Sequence, residues 1–570
     1  MDTLFQMKFL PAWALLLLGW LQPFHTMPWM SWHSEVPAAA ALVWLLSVEL
    51  WEWERPPAGR VFVPRSTGVL VAVGLYAWAQ FAAGQISYLG DVITICIYLS
   101  LAAMAMLVGH AWGRRIEEPT ASRTDGSPLE QLAWVVLIGA LLSVPLELAQ
   151  VGSVWRDAAW LFQLEYARRP GANMGQPNHL ATLLMMGVAS LLFLCEKRRL
   201  SRTLAGLIGA CLLLGMIITE SRTGLLSLAV MTAWWWRYRQ QWQRIGHGGP
   251  VVLTWLVLPV LVLAWPELYA HWYFVDAGTA LVNNLPGGRA VVWPQLLEAV
   301  TLHPWLGWGL HEVPKAHNAV LHHYAVSEPY GYAHNILLDL ALGVGLPLTL
   351  LLSLVVLRWG WRRLSRVQDL QTWYGVALVI PLAVHAMTEY PFAYTYLLAP
   401  PCLALGFLEA RLAPNAVWRL RWGVVVAGGA LITLLLLASV MEYLEVEEDF
   451  QVSRFQALHI GSTPPGYEKP HIRLLTQIDA MAQVNRVAVS PGMTPDQVAA
   501  LRRAALRFPS TAAQNRYALA LALNGDPEEA VRQLRVMRAM HGEKHFAGLR
   551  AYWVELAQTK YPQLKQLQLP

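Results

Sequence analysis

The sequence predicts an all-α integral membrane protein of about thirteen transmembrane helices, followed by a helical domain at the C-terminal end. Three observations predict it. Apolar residues make up 56% of the 570-residue chain and charged residues only 14%, against roughly 25% charged in a soluble domain. Mean hydropathy is +0.38. Long apolar runs alternate with connections whose Lys and Arg content alternates in step. This balance excludes a disordered chain, a nucleic-acid-binding domain and an ordinary soluble enzyme. The 28 Trp and 19 Tyr suit a chain with two lipid–water interfaces. The net charge of +5 is small, so where the charges sit matters more than their sum.

Crossing the hydrocarbon takes about 20 helical residues. The runs that qualify are 9–24, 37–51, 68–89, 91–112, 132–150, 178–195, 203–220, 222–236, 250–266, 334–357, 373–388, 391–410 and 421–441. The first follows Lys8 as a signal peptide would, but Pro23-Phe24-His25-Thr26-Met27-Pro28-Trp29 follows it without a small-x-small cleavage site. It is therefore read as a retained span. Cys96, Cys195, Cys211 and Cys402 all lie in apolar runs without a CxxC, as small buried hydrophobes do.

Each even-numbered run ends in a basic cluster. These clusters are Arg55, Arg60 and Arg65; Arg114, Arg115 and Arg123; Lys197, Arg198, Arg199 and Arg202; Arg237, Arg239 and Arg244; Arg358, Arg362, Arg363 and Arg366; and Arg411, Arg419 and Arg421. Odd-numbered runs end in connections poor in Lys and Arg. Only two of those are long, 151–177 and 267–333, and they carry Arg156, Arg168, Arg169, Arg289 and Lys315. The positive-inside bias then puts the N-terminus in the cytoplasm and both long connections outside. Residues 442–570 fall outside as well, which means the periplasm if the membrane is a bacterial inner membrane. Two domains follow: a polytopic domain over 1–441, including the outer connection 267–333, and an outer domain over 442–570.

That tail is polar and helical in pattern. Thr494-Pro495-Asp496-Gln497 has a helix cap, a first-turn proline and a capping-box glutamine. Asn524-Gly525-Asp526-Pro527 is a helix stop followed by a new start. The alanines and leucines around it suggest hairpins of tetratricopeptide type, with a plain helical bundle as the competing reading.

Polar residues at span ends carry the chemistry in such a chain. Gln176 and Asn178 open a span at Gly175-Gln176-Pro177-Asn178-His179. They suit either helix capping or holding an anion at the positive dipole end. Arg222 lies in the tight outer turn Glu220-Ser221-Arg222-Thr223-Gly224, against the charge bias. It reads as snorkelling to headgroups or as anion binding, with Ser221 and Thr223 as further donors. Arg289, after Gly287-Gly288, begins a helix whose dipole it does not help. A bound phosphate would account for it, because guanidinium pairs phosphate bidentately. His334 and Asn335 open a span, and an imidazole there suits a general base; a simple cap competes. His385, Glu389 and Tyr394 form a group at the outer turn near Pro391, where Glu389 would neutralise an Arg or orient His334. His303, His311, His317, His322 and His323 crowd the long connection without an HExxH or an acidic cluster. His322 and His323, being adjacent, are expected on different helix faces. No metal is therefore expected. All these candidates fall on the outer side, as a site for an anionic, lipid-linked substrate would.

The stretches Gly175-Gln176-Pro177-Asn178-His179-Leu180-Ala181, Ser221-Arg222-Thr223-Gly224, Gly288-Arg289 with Trp293, Pro304-Trp305-Leu306-Gly307-Trp308-Gly309, Ala333-His334-Asn335 and Glu389-Tyr390-Pro391-Phe392-Ala393-Tyr394-Thr395-Tyr396 resemble the bacterial O-antigen ligase and polymerase superfamily. Within it they most resemble the protein O-oligosaccharyltransferases of the pilin-glycosylating type. The resemblance implies a GT-C-like ligase fold and a metal-independent, cofactor-free inverting glycosyltransferase in the bilayer. It implies a donor glycan on undecaprenyl pyrophosphate and a Ser or Thr acceptor on a pilin-like or periplasmic protein. It also implies that Arg222 and Arg289 hold the pyrophosphate and that His334 activates the hydroxyl, with Gln176 and Tyr394 at positions that matter for activity. Ala316-His317-Asn318 mimics Ala333-His334-Asn335, and His334 is preferred because it abuts a span. Two alternatives stay open: an O-antigen ligase or polymerase acting on lipopolysaccharide, and a transporter of polyprenyl-linked glycan. The transporter reading expects repeated halves and mid-span charges, neither of which the sequence displays.

Overall fold

The computed structural model describes residues 6–52, 59–115, 126–155, 157–163, 169–273, 287–463 and 465–570. Arg55, Arg123, Arg156, Arg168 and the stretch 274–286 lie outside the described residues. The described chain is almost entirely helical. Six of its helices are long and apolar enough to cross a bilayer: Trp32–Glu52, Leu89–Arg115, Pro128–Val151, Pro177–Glu196, Gly249–Trp272 and Trp422–Leu458. Shorter apolar helices at Met7–Leu21, Thr67–Ala82, Arg202–Ile218 and Leu370–Ala386 fall on four further expected runs.

The chain divides into two compact units. The first comprises Met1–Ala72, Ile97–Leu285 and Leu357–Leu435. In it Pro128–Val151 packs along Pro177–Glu196, and the latter also meets Arg222–Tyr238 and Leu370–Ala386. Small residues let these helices approach closely, which is how helices associate where lipid supplies no hydrophobic drive. A Cβ on Gly109 would lie 1.8 Å from the Leu403 carbonyl oxygen, and one on Gly406 would lie 1.9 Å from that of Met106. Neither position admits a side chain. One two-stranded antiparallel ribbon, Arg60–Pro64 with Val417–Arg421, joins two basic connections that the hydropathy pattern leaves as plain loops.

The second unit comprises Val73–Cys96, Pro286–Val356 and Leu436–Pro570. Its core around the long connection is Val292, Leu296, Ala299, Val313, Ala316, Val320, Ala333 and Leu342, with Trp308 packed against it. The expected single span 334–357 is instead two helices, Ile336–Val344 and Leu346–Leu364. Gly345 breaks it with φ +81°. A Cβ there would stand 2.3 Å from the Trp305 carbonyl oxygen, so both the backbone angle and the crowding require glycine.

Past the end of Trp422–Leu458, the described residues of the tail form five α-helices, Thr476–Arg486, Pro495–Arg507, Thr511–Leu523, Pro527–His541 and Glu543–Thr559. The capping box at Thr494 and Gln497 is present in both directions. Asp526 caps the next helix with Pro527 in its first turn. Arg507 makes a bidentate ion pair with buried Asp91, 2.8 Å from Oδ1 and 3.1 Å from Oδ2. Asn318 Nδ2 donates to Gln533 Oε1 at 3.0 Å. The tail helices are thus anchored to Val73–Cys96 and Pro286–Val356 within this unit.

Candidate functional site

The sequence candidates fall into two groups, one in each unit. In the first unit the organising element is the Glu389 carboxylate, buried just past the helix Leu370–Ala386. Gln176 Nε2 donates to its Oε2 at 2.8 Å, and Asn178 Nδ2 donates to its Oε1 at 2.7 Å. His385 Nε2 lies 3.4 Å from Oε2. Gln176 is the N-cap residue of Pro177–Glu196, yet its side chain makes no cap bond. Its amide is committed across the fold to Glu389, so the capping reading fails for it.

Asn178 extends the network. Its Oδ1 accepts from Ser221 Oγ at 2.6 Å, and Ser221 Oγ in turn accepts from the Gly224 amide at 3.0 Å. Ser221 therefore caps the helix Arg222–Tyr238 while bridging to Asn178. Thr223 pairs with Thr388 at 2.9 Å. Ser221 and Thr223 are buried, which corrects the expectation that they are further outward donors: they build the turn that carries Arg222. Arg222 itself is exposed at the first helical position, and Glu220 before it holds φ +47°. Residues in that region cost free energy and collect at functional sites. Arg169, from the connection 151–177, donates from Nε to the Thr219 carbonyl of the same turn at 3.2 Å.

His179 and Tyr396, which the quoted motifs contain without a role, join this group, and Thr182 joins it without any sequence signal. His179 Nδ1 meets the Tyr396 hydroxyl at 2.9 Å, and its ring packs against Tyr394 at 4.4 Å. Thr182 Oγ1 meets His385 Nδ1 at 2.8 Å. Thr182 lies about two turns past Gln176, inside an apolar run where hydropathy hides it. Gln176, Asn178 and His385 thus meet the Glu389 carboxylate, a set of partners that spacing along the chain does not suggest.

His179, His385 and Glu389 bring their ligand atoms within 4.8 Å of one another, a donor set that could hold a metal. Each already has protein partners: Nδ1 of both rings is hydrogen-bonded, and both Glu389 oxygens accept amide N–H groups. These bonds fix the orientation of both rings and of the carboxylate. The histidines of the long connection diverge. His303 packs on Trp308, His311 on Tyr332, His317 on Gln295, and His323 pairs with Glu298. His322 and His323 sit on a 3-10 turn with ring centroids 4.7 Å apart, so the expectation of separate helix faces fails because the turn is not α-helical.

The second unit holds Arg289, His317, His334 and Asn335. His317 is fully buried, and its Nε2 lies 2.9 Å from Gln295 Oε1 and 3.1 Å from Ser327 Oγ. Burial pushes its pKa down to about 4. Its Nε2 is committed to Gln295 and Ser327 inside the fold. His334 is half-buried in the left-handed region at φ +54°, with the Tyr330 ring 4.5 Å away. Asn335 caps Ile336–Val344, its Oδ1 accepting from the Leu337 and Leu338 amides.

Arg289 lies in the first turn of Gly287–Leu302. Trp293, four residues on and so on the same helix face, donates from its indole to the Ala333 carbonyl at 2.8 Å. The helix that carries Arg289 is thereby joined to the loop that carries His334.

Residues 170–195 match the protein glycosylation ligase family, residues 207–353 the O-antigen ligase family, and residues 373–554 the C-terminal region of the virulence factor membrane-bound polymerase family. The chain is 24% identical over 561 residues to the general O-oligosaccharyltransferase of Acinetobacter baylyi, covering 93% of this chain and 91% of that protein. It is 25% identical over 390 residues to the ComP-specific O-oligosaccharyltransferase of the same organism, 68% of each chain. The resemblance drawn from the short segments is thus borne out along most of the sequence, and the enzyme class it implies, glycosyltransferase, accords with both relatives.

Proposed function

We propose that this chain is an O-linked oligosaccharyltransferase of a bacterial inner membrane. It moves a glycan from undecaprenyl pyrophosphate to a Ser or Thr hydroxyl of a pilin-like or periplasmic protein, at a site on the periplasmic side. The observation that carries the reading is the Trp293–Ala333 bond, which couples a guanidinium-bearing helix to an imidazole-bearing loop. An anion holder beside a base is what attack on a glycosyl diphosphate needs.

In this reading His334 takes the proton of the acceptor hydroxyl as its oxygen attacks the anomeric carbon. The new C–O bond forms opposite the breaking bond to the phosphate oxygen, so configuration inverts. The pyrophosphate leaves with the electron pair, and Arg222 and Arg289 meet its developing charge, so no metal is required. Glu389, with Gln176 and Asn178, keeps the Arg222 turn in shape. His385 and Tyr394 line the same group.

A second reading is favoured by the O-antigen ligase and polymerase matches: transfer to lipid A core or to a growing O-antigen chain. Deleting the gene and comparing pilin mobility with lipopolysaccharide ladders separates the two. Altered pilin with an unchanged ladder is expected, and the reverse overturns the protein-acceptor reading. Arg289→Ala and His334→Ala are expected to abolish transfer in folded protein; full activity in either removes that residue from the mechanism.

A further inference from the structure

We propose that Asp339 is the positioning residue that holds His334 in its working conformation; the inference rests on the reading of His334 as the base. A side chain other than glycine stays in the left-handed region only where its surroundings over-determine it, and His334 has φ +54°. The flanking peptide groups supply that determination. The Ala333 amide donates to Asp339 Oδ1 at 2.9 Å, and the Asn335 amide also faces this carboxylate. The Ala333 carbonyl is taken by the Trp293 indole. The residues before and after His334 are therefore fixed on both sides, and its own torsion absorbs the strain.

Helix capping does not account for Asp339. Asn335 already caps Ile336–Val344, with two amides on its Oδ1, whereas Asp339 also reaches past the cap to the Ala333 amide, two residues before it. Its other oxygen, Oδ2, is buried without a hydrogen-bond partner. A buried acceptor left unsatisfied is costly. Asp339 touches no reacting atom in this scheme and acts through the backbone of the His334 loop.

The test uses the full chain in nanodiscs, with the host's undecaprenyl-pyrophosphate-linked oligosaccharide as donor and its pilin fraction as acceptor. Asp339→Leu keeps the branched shape and heavy-atom count and removes the acceptor. It is expected to lower kcat by about 100-fold, as small misplacements of a catalytic group do, with the donor KM within about twofold. Asp339→Asn retains a carbonyl that accepts from Ala333 and is expected to stay within about threefold of the unmodified kcat. Thermal unfolding of each variant normalises the rates to folded protein. Unchanged kcat in folded Asp339→Leu, or an equal loss in Asp339→Asn, overturns the inference. Should Asp339→Leu not accumulate, Asp339→Glu moves the same acceptor by one methylene. Its normal turnover overturns the inference, and a fall in kcat alone supports it. Activity in His334→Ala would instead sink the reading beneath it, so the two failures are distinguishable.

Discussion

Replacing Glu389 by Gln tests the buried network most sharply. The carboxylate accepts from Gln176 at 2.8 Å and Asn178 at 2.7 Å, and has His385 Nε2 3.4 Å away. Glutamine turns one of its two acceptors into a donor, which must then face the N–H groups of Gln176 or Asn178. One hydrogen bond to a charged group is lost, worth about 1.5–3 kcal/mol, and one buried donor is left unsatisfied, costing about 1–3 kcal/mol. A net loss of about 3 kcal/mol corresponds to over a hundredfold in the population of the ordered Arg222 turn. The assay is initial transfer rate beside thermal unfolding in nanodiscs. Asn178→Asp alone sets two carboxylates against each other and is expected to be equally harmful. Combined, the two changes restore complementarity: the new amide at 389 donates to the new carboxylate at 178, which still accepts from Ser221. The double variant is expected to recover at least half of the lost free energy. Unmodified behaviour of Glu389→Gln, or a double variant no better than the sum of the singles, refutes the reasoning.

Three further outcomes are expected. His317 is neutral in the fold, its pKa lowered to about 4 from 6.5. The unfolded chain therefore binds the extra proton between those values, and stability falls as pH drops through that window, by about 2–3 kcal/mol between pH 7 and 4.5. His317→Gln should flatten that part of the denaturation profile, and an unaltered profile contradicts the assignment. Arg507→Met strands the buried Asp91 carboxylate and should cost about 3–5 kcal/mol, while adding Asp91→Asn should recover most of it; equilibrium unfolding decides. Transfer is expected to persist in excess chelator with metal content checked by mass spectrometry. Loss of activity that zinc restores would instead assign an ion to His179, His385 and Glu389.

Hydropathy and charge alternation made the helices legible, because lipid demands long apolar runs and the cytoplasmic face retains Arg and Lys. The polar segments at the run ends were legible for the same reason: Gln176, Asn178, Arg222, His385 and Glu389 interrupt apolar sequence where nothing in a bilayer would favour them. Their pairing was not. Glu389 meets Gln176 and Asn178 across more than two hundred residues, and one-dimensional spacing carries no sign of which amide faces which acid. Ser221 and Thr223 looked like free donors because only packing reveals that their hydroxyls are spent on Asn178 and Thr388. The break at Gly345 escaped notice because an apolar run reads alike whether or not a carbonyl from Trp305 presses against it. His317 and His334 share an Ala-His-Asn motif. Only burial separates a histidine sealed behind Gln295 from a half-buried one beside Tyr330.

The backbone at His334 has a consequence for anyone who randomises that codon. Tolerance there will be ranked by two properties at once, proton affinity and ease at φ +54°, and alanine confounds them because it supplies neither. Asparagine visits that conformation readily and offers no comparable base. An inactive but well-folded His334→Asn enzyme would therefore isolate the imidazole's contribution from that of the chain path.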